Sequence, residues 1–227
     1  MTPDLAKLKV LVVEDHPVVL EGTLSILKQF YSDLETRAVD TEEKALKEIF
    51  QYRPDLIILD LQIPEKENDL TKLDTGVDLL KKIMKRYPEQ NLAVQSSFVS
   101  ALCRIKPDID NHQGGFTVID KGRCSTQEIF ERFDCALKGY THTKDIRGLQ
   151  AGLEVKPEWL KILAFACEDG LQDRSIAQQI NVSEGTIRHY WTKIYDVLGI
   201  YPEDVKGDGK NLRVLSCNLA RSNGLID

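Results

Sequence analysis

No apolar run in the 227-residue sequence is long enough to cross a bilayer, which excludes a membrane-spanning helix. The N-terminus, MTPDLAKLKV, lacks the apolar core of a signal peptide, so a cytoplasmic location is expected. No two cysteines form a CxxC pair. The five present, Cys103, Cys124, Cys135, Cys167 and Cys217, are odd in number and far apart, which argues against a disulfide framework or a zinc site and for free thiols or small core residues. Internal repeats and low-complexity segments are missing. So is a basic excess: 30 Lys and Arg face 36 Asp and Glu, for a net charge of −6. From Ala151 onward nine basic residues face eleven acidic ones, so any contact with DNA must rest on a local basic patch. What remains is an ordinary globular composition, 42% hydrophobic and 29% charged, long enough for one large domain or two small ones.

The most informative feature is where two apolar runs stop. KVLVVED ends in Glu14 and Asp15, and PDLIILD ends in Asp60. Strands of a parallel sheet are buried on both faces and read as unbroken Val, Ile and Leu. Carboxylates that end such runs stand at the carboxyl edge of the sheet, where open α/β sheets bind ligands. Three carboxylates converging there, with no cation close in sequence, repel one another unless a hard divalent cation sits among them. Mg²⁺ is the natural occupant, because it takes oxygen ligands and works with phosphate oxygens. His16 follows the pair but has no nitrogen or sulfur ligands nearby in sequence, so it reads as a loop or helix-cap residue.

The first half alternates strands with helices. Strand patterns at KVLVV, ETRAV, DLIIL, NLAVQ and FTVID flank helical patterns from Pro17 to Phe30, onward from a capping box at Asp40 and Glu43 to Phe50, along GVDLLKKIMKRY, and from a capping box at Ser125 and Glu128. This alternation implies a doubly wound, parallel, five-stranded α/β sheet. THTKDIRGLQAG reads as a linker. Helices alone follow: about Pro157 to Glu168, Arg174 to Ile180, SEGTIRHYWTKIYDVLG, and one around RVLSCNLARS. The expected boundaries are therefore 1–139 for the α/β domain, 140–152 for the linker and 153–227 for a small all-α domain.

With these motifs in order, the first half resembles a response-regulator receiver, which is flavodoxin-like in fold, and the second a LuxR-type helix-turn-helix. Together they resemble a NarL/FixJ-type response regulator. That resemblance makes Asp60 the phosphoacceptor and Glu14, Asp15, Asp60 and the backbone carbonyl of Gln62 the Mg²⁺ ligands. Ser96, ending NLAVQS, and Lys121, after FTVID, fall where receivers place the hydroxyl and the ammonium that meet the phosphoryl group. A phosphohydrolase is disfavoured, since Gln62 stands where a second acid/base carboxylate would be needed. The chain also departs from the family. Glu14 replaces the usual Asp, the charged segment EKENDLTKLDTG lengthens the loop after Pro64, and in ALCRIKPDIDNHQGG Pro107 and the polar DIDNHQGG break the expected fourth helix early. Val118 stands at the aromatic switch position, with Phe116 two residues earlier.

In the second half Ser183 reads as a helix N-cap. Ile187, Trp191, Ile194 and Leu198 recur at helical spacing and form the buried face. Arg188, His189, Thr192, Lys193 and Asp196 point the other way, into the major groove if the helix-turn-helix resemblance holds. Arg188 suits a guanine edge, and His189 and Thr192 neighbouring bases. Lys193, Arg174, Ser175, Ser183 and Thr186 suit phosphates. Asp196 and the extended YPEDVKGDGKN connection depart from the family. The resemblance implies a non-enzymatic, DNA-binding transcriptional regulator. It is phosphorylated by a histidine kinase, dimeric when active, and binds double-stranded DNA but no membrane. The alternative expectation keeps this fold but switches it by a protein partner or by thiol redox state.

Overall fold

The computed structural model describes residues 7–143, 146, 155–200, 209 and 211–226. The chain divides into two compact units, Met1–Val99 with Ile105–Asp145 and Ser100–Arg104 with Ile146–Asp227.

The first unit is an α/β sheet in the order β2-β1-β3-β4-β5-β6, every pair parallel. Its strands are β1 (Leu8–Val13), β2 (Leu34–Val39), β3 (Leu56–Leu59), β4 (Asn91–Ser96), β5 (Phe116–Asp120) and β6 (Thr141–His142). Its helices are α1 (Pro17–Phe30), α2 (Glu42–Tyr52), α3 (Leu73–Arg86), α4 (Lys106–Asp110) and α5 (Thr126–Leu137). Val10 and Val12 of β1, Leu56 and Ile58 of β3, and Ile119 of β5 pack against Leu27 of α1 and Phe133 and Ala136 of α5. The alternate residues Leu11, Val13, Ile57 and Leu59 are equally buried. Burial on both sides accounts for the unbroken apolar runs. The register aligns Val13 with Leu59, Leu59 with Val94 and Ser96 with Asp120, so the residues that follow these strands share one edge.

Three expectations for this unit are corrected. The sheet has six strands, because Thr141 and His142, within the stretch expected as linker, pair with Phe116 and Thr117. The α2 cap is Thr41, whose hydroxyl accepts from Lys44 N at 3.3 Å, while Asp40 pairs with the Lys44 ammonium. The fourth helix is short as expected, ending at Asp110 in the polar stretch, but Pro107 is not what breaks it: a 3-10 helix runs Val99–Ile105, and Pro107 stands in the first turn of α4, where its fixed φ fits and its missing N–H costs nothing. The glycine pair that follows is demanded by close packing. A Cβ on Gly114 would overlap the Gln90 backbone, and one on Gly115 the Ala136 backbone. The Ser125–Glu128 capping box forms as expected at α5.

The second unit contains α6 (Pro157–Cys167), α7 (Asp173–Gln179), α8 (Glu184–Leu198) and α9 (Leu212–Ser222). The α7–α8 turn places Asn181 at φ 56°, and Gly199 closes α8 at φ 69°. Trp159, Ile162, Leu163, Ile176, Ile187, Trp191, Ile194 and Ala220 form its interior. One bidentate ion pair links α7 and α9: Arg213 donates to both Asp173 oxygens at 2.6 Å, and its guanidinium lies 4.3 Å above the Trp191 ring. Cys167 and Cys217 form a disulfide between α6 and α9, Cα atoms 5.5 Å apart, against the expectation of free thiols. Fifty residues separate them in sequence and only the packing of α6 on α9 brings them together. Among the described residues the other three cysteines form no disulfide.

Candidate functional site

The first cluster forms where β1, β3 and β5 end. Glu14 is 5% and Asp60 3% exposed, carried there by strands buried on both faces. Lys121, directly after β5, donates from its ammonium to Glu14 Oε2 and to Asp60 Oδ2, each at 2.7 Å. Two buried carboxylates thus share one cation. Burial pushes the Glu14 carboxyl above its ordinary value; Lys121 pulls the other way, and the Asp60 charge adds to the rise. Ser96 ends β4 fully buried, its backbone oxygen accepting from Lys121 N at 3.2 Å and its hydroxyl from Phe98 N at 3.3 Å. Gln62 lies two residues past Asp60, half-buried.

Asp15 completes the acidic set. Ligand atoms from Glu14, Asp15, His16 and Asp60 all lie within 4.8 Å of one another. His16 Nδ1 is 2.8 Å from Asp15 Oδ1, so the residue expected only as a loop or cap also borders the cluster. It is the N-cap of α1, with no side-chain cap bond. Asp60 Oδ1 is buried and, among the described residues, has no hydrogen-bond partner. A buried orphan oxygen beside two further carboxylates fits a hard divalent cation such as Mg²⁺.

Sequence reasoning missed Thr71. Its hydroxyl donates to Asp15 Oδ2 at 2.8 Å, from the charged loop after Pro64. The length of that loop and its place beside the acidic edge were legible; no local pattern marks which of its residues turns back.

In the second unit α8 buries Ile187, Trp191, Ile194 and Leu198, as the periodicity predicts. Arg188, His189, Thr192 and Lys193 are exposed, and Asp196 is partly so, 3.5 Å from the Lys193 ammonium. Ser183 caps the helix by accepting from Thr186 N at 3.1 Å, and the two hydroxyls lie 2.9 Å apart. Arg174 is exposed on α7 and Ser175 half-buried. The two candidate sites occupy different units.

Residues 10–103 match the family model described as response regulator receiver domain. This part of the chain is a receiver domain. Over 96 residues the chain is 36% identical to protein-glutamate methylesterase/protein-glutamine glutaminase 1 of Syntrophus aciditrophicus, covering 41% of this chain but 24% of that protein. The likeness there is confined to the receiver. Over 206 residues it is 24% identical to transcriptional regulatory protein YdfI of Bacillus subtilis, covering 84% of this chain and 89% of that one. Oxygen regulatory protein NreC of Staphylococcus epidermidis is 28% identical over 92 residues, 40% of this chain and 38% of that protein. Among solved structures, RcsB dimers bound to two parallel DNAs superpose with a TM-score of 0.61 at 18% identity, covering 95% of this chain and 98% of theirs. RcsB of Salmonella typhimurium gives 0.60 at 19% identity, covering 95% of this chain and 100% of that one. At such identity these likenesses show the fold. The resemblance to NarL/FixJ-type response regulators is borne out in the receiver, in the transcriptional-regulator relatives and in the whole-chain fold.

Proposed function

We propose that this chain is a two-component response regulator, with a receiver whose sheet runs on through β6 into the stretch expected as linker, and a DNA-binding helix-turn-helix over 153–227. It is not an enzyme, and it works in the cytoplasm. The observation that carries the reading is the Lys121 ammonium shared by Glu14 and Asp60 beside an unpartnered Asp60 oxygen. A carboxylate oxygen of Asp60 attacks the phosphorus of a phosphohistidine on a partner kinase. The P–O bond forms as the P–N bond breaks, and the electron pair returns to the imidazole, which takes up a proton. Lys121 holds Asp60 in place and meets the charge that develops on the phosphoryl oxygens, and the Ser96 hydroxyl bonds one of them. Glu14, Asp15, Asp60 and the Gln62 carbonyl would hold Mg²⁺, which supplies charge neutralisation when bound. Asp60 phosphorylation then favours a dimer whose α8 helices enter two half-sites of double-stranded DNA. This requires the phosphoryl group to interact better with that state than with the other. Arg188, His189 and Thr192 would read bases, while Lys193, Arg174, Ser175, Ser183 and Thr186 would contact phosphates.

The test is intact mass after incubation with Mg²⁺ and a small acyl phosphate. The protein should gain one acid-labile phosphoryl group, and Asp60→Asn should gain none. A gain that persists in Asp60→Asn would move the acceptor elsewhere.

One observation favours a second input. The Cys167–Cys217 disulfide ties α6 to α9, and α8 packs on both. Two thiolates losing two electrons to an oxidant such as a low-molecular-weight disulfide would stiffen the support of α8. DNA affinity that changes on reduction in the parent but not in Cys217→Ser supports thiol control; equal affinity in both states removes it.

A further inference from the structure

The charged loop after Pro64 is a built element tied to the acidic cluster. Ile63 and Lys72 pair antiparallel, with Lys72 N donating to Ile63 O at 3.2 Å, so the loop returns to where it left. Its first residues are fastened to the start of α2: Pro64 O accepts from Glu42 N at 3.1 Å and Glu65 O from Glu43 N at 3.2 Å. Its tip is a tight turn. Lys66 N donates to Asp69 Oδ2 and Asp69 N to Lys66 O, both at 3.1 Å, with Asn68 at φ 72°. From the returning arm, Thr71 reaches 56 positions back in sequence to Asp15 Oδ2.

Asp15 needs such a partner. The Lys121 ammonium serves Glu14 and Asp60 at 2.7 Å, leaving Asp15 beside two buried carboxylates whose charge it shares. A half-buried carboxylate in that position is driven to turn toward water. The Thr71 hydroxyl on Oδ2 opposes that rotation, while Oδ1 is buried without a hydrogen-bond partner among the described residues.

We propose that Thr71 is a positioning residue for divalent-cation binding: its hydroxyl holds the Asp15 carboxylate turned into the cluster, and the charged loop exists in part to deliver it. The inference rests on the reading of Glu14, Asp15 and Asp60 as a cation site. Hydrogen-bond partners that orient metal ligands typically change affinity by about 10- to 100-fold when removed. Linkage also runs in reverse. If Thr71 couples loop to site, a bound cation stabilises the loop by the same factor.

The experiment uses the full chain and two probes. Mn²⁺ binding is followed by the electron paramagnetic resonance signal of the free ion, and Mg²⁺ binding by calorimetry. Thr71→Val, which keeps the shape and removes the hydroxyl, should weaken both cations by about 10-fold or more. Thr71→Ser, which restores the hydroxyl, should return affinity to within about threefold of the parent, well inside the range of such effects. Thr71 is exposed, so neither change should move the thermal unfolding of the cation-free protein. Amide exchange across 65–71 should slow when Mn²⁺ or Mg²⁺ binds the parent and stay unchanged in Thr71→Val. A valine variant that titrates like the parent, or a serine variant as weak as the valine one, overturns the role of Thr71 while leaving the cation site standing. A parent that binds neither ion overturns the site reading, and this inference with it.

Discussion

Reduction of the Cys167–Cys217 bond should destabilise the C-terminal unit by an amount its loop length sets. The bond joins positions 50 residues apart. Removing that cross-link returns loop-closure entropy to the unfolded chain, about 4 kcal/mol at 25 °C for this length, with about 2–4 kcal/mol the usual outcome. Cys103, Cys124 and Cys135 form no disulfide, so among the described residues a reductant has no other such bond to break. The assay is selective by composition. The sequence has two tryptophans, Trp159 and Trp191, both buried in this unit, so intrinsic tryptophan emission reports its unfolding and not that of the sheet. With a urea slope of about 1 kcal/mol per M, the midpoint should fall by about 2–4 M on reduction. Cys217→Ser should show the lower midpoint without reductant and no further response to it. Equal midpoints in both redox states, with mass spectrometry confirming the bond in the untreated protein, would refute the argument.

Arg213→Ala should destabilise the same unit by about 1–2 kcal/mol, below the figure for fully buried pairs because both side chains are partly exposed. Thermal unfolding followed by tryptophan emission measures it. The Arg213 guanidinium holds the Asp173 carboxyl below its ordinary value of 3.8. A depressed folded-state pKa contributes stability above the unfolded pKa and loses it as pH falls through the folded one. The parent should therefore lose stability as pH drops below about 3.8, and Arg213→Ala should lose less over the same acid titration. On DNA, Arg188→Ala should cost about 1–3 kcal/mol and relax specificity at one base pair, whereas Lys193→Ala should weaken all sequences alike and flatten the salt slope by roughly one unit. Salt titrations on a selected operator and on scrambled DNA separate the two, and variants indistinguishable from the parent on both would remove the outward face of α8 as the reading surface.

What was legible in the sequence is what a strand or helix imposes on its own residues. KVLVV and DLIIL are apolar throughout because both faces of β1 and β3 are covered, and so the carboxylates that end them mark the sheet edge. The 3.6-residue period of α8 separated Ile187, Trp191 and Ile194 from Arg188, His189 and Lys193. What was illegible depends on where distant segments meet. The Thr71–Asp15 bond spans 56 positions and the Cys167–Cys217 bond 50, with no local pattern announcing either. The α2 cap shows a finer limit. Asp40 and Thr41 are both good N-caps, and the backbone turn selects Thr41 while Asp40 goes to Lys44. Pro107 was misread because a proline that stops one helix can equally start the next.

The acidic cluster itself argues against a merely structural origin. Burying two carboxylates against one ammonium stabilises a fold less than apolar residues of the same volume would. Burial raises the Glu14 pKa, so the fold works against the charge it keeps there, and Asp60 Oδ1 lies buried without a described partner. Local rules broken together at one sheet edge, in a domain otherwise packed to rule, mark a place shaped for something that arrives later. On the proposed reading two things arrive. A divalent cation would balance three carboxylates against one lysine, and a phosphoryl group on Asp60 would make the site more negative again by about one unit. Lys121, already within 2.7 Å of both Asp60 and Glu14, is the described cation placed to answer that added charge. Any shift of its ammonium toward the phosphoryl group draws it away from Glu14, whose carboxyl burial already pushes above its ordinary value. The edge can thus answer the new charge by moving one ammonium, and Lys121, whose backbone N–H bonds Ser96 O, links that movement directly to β4.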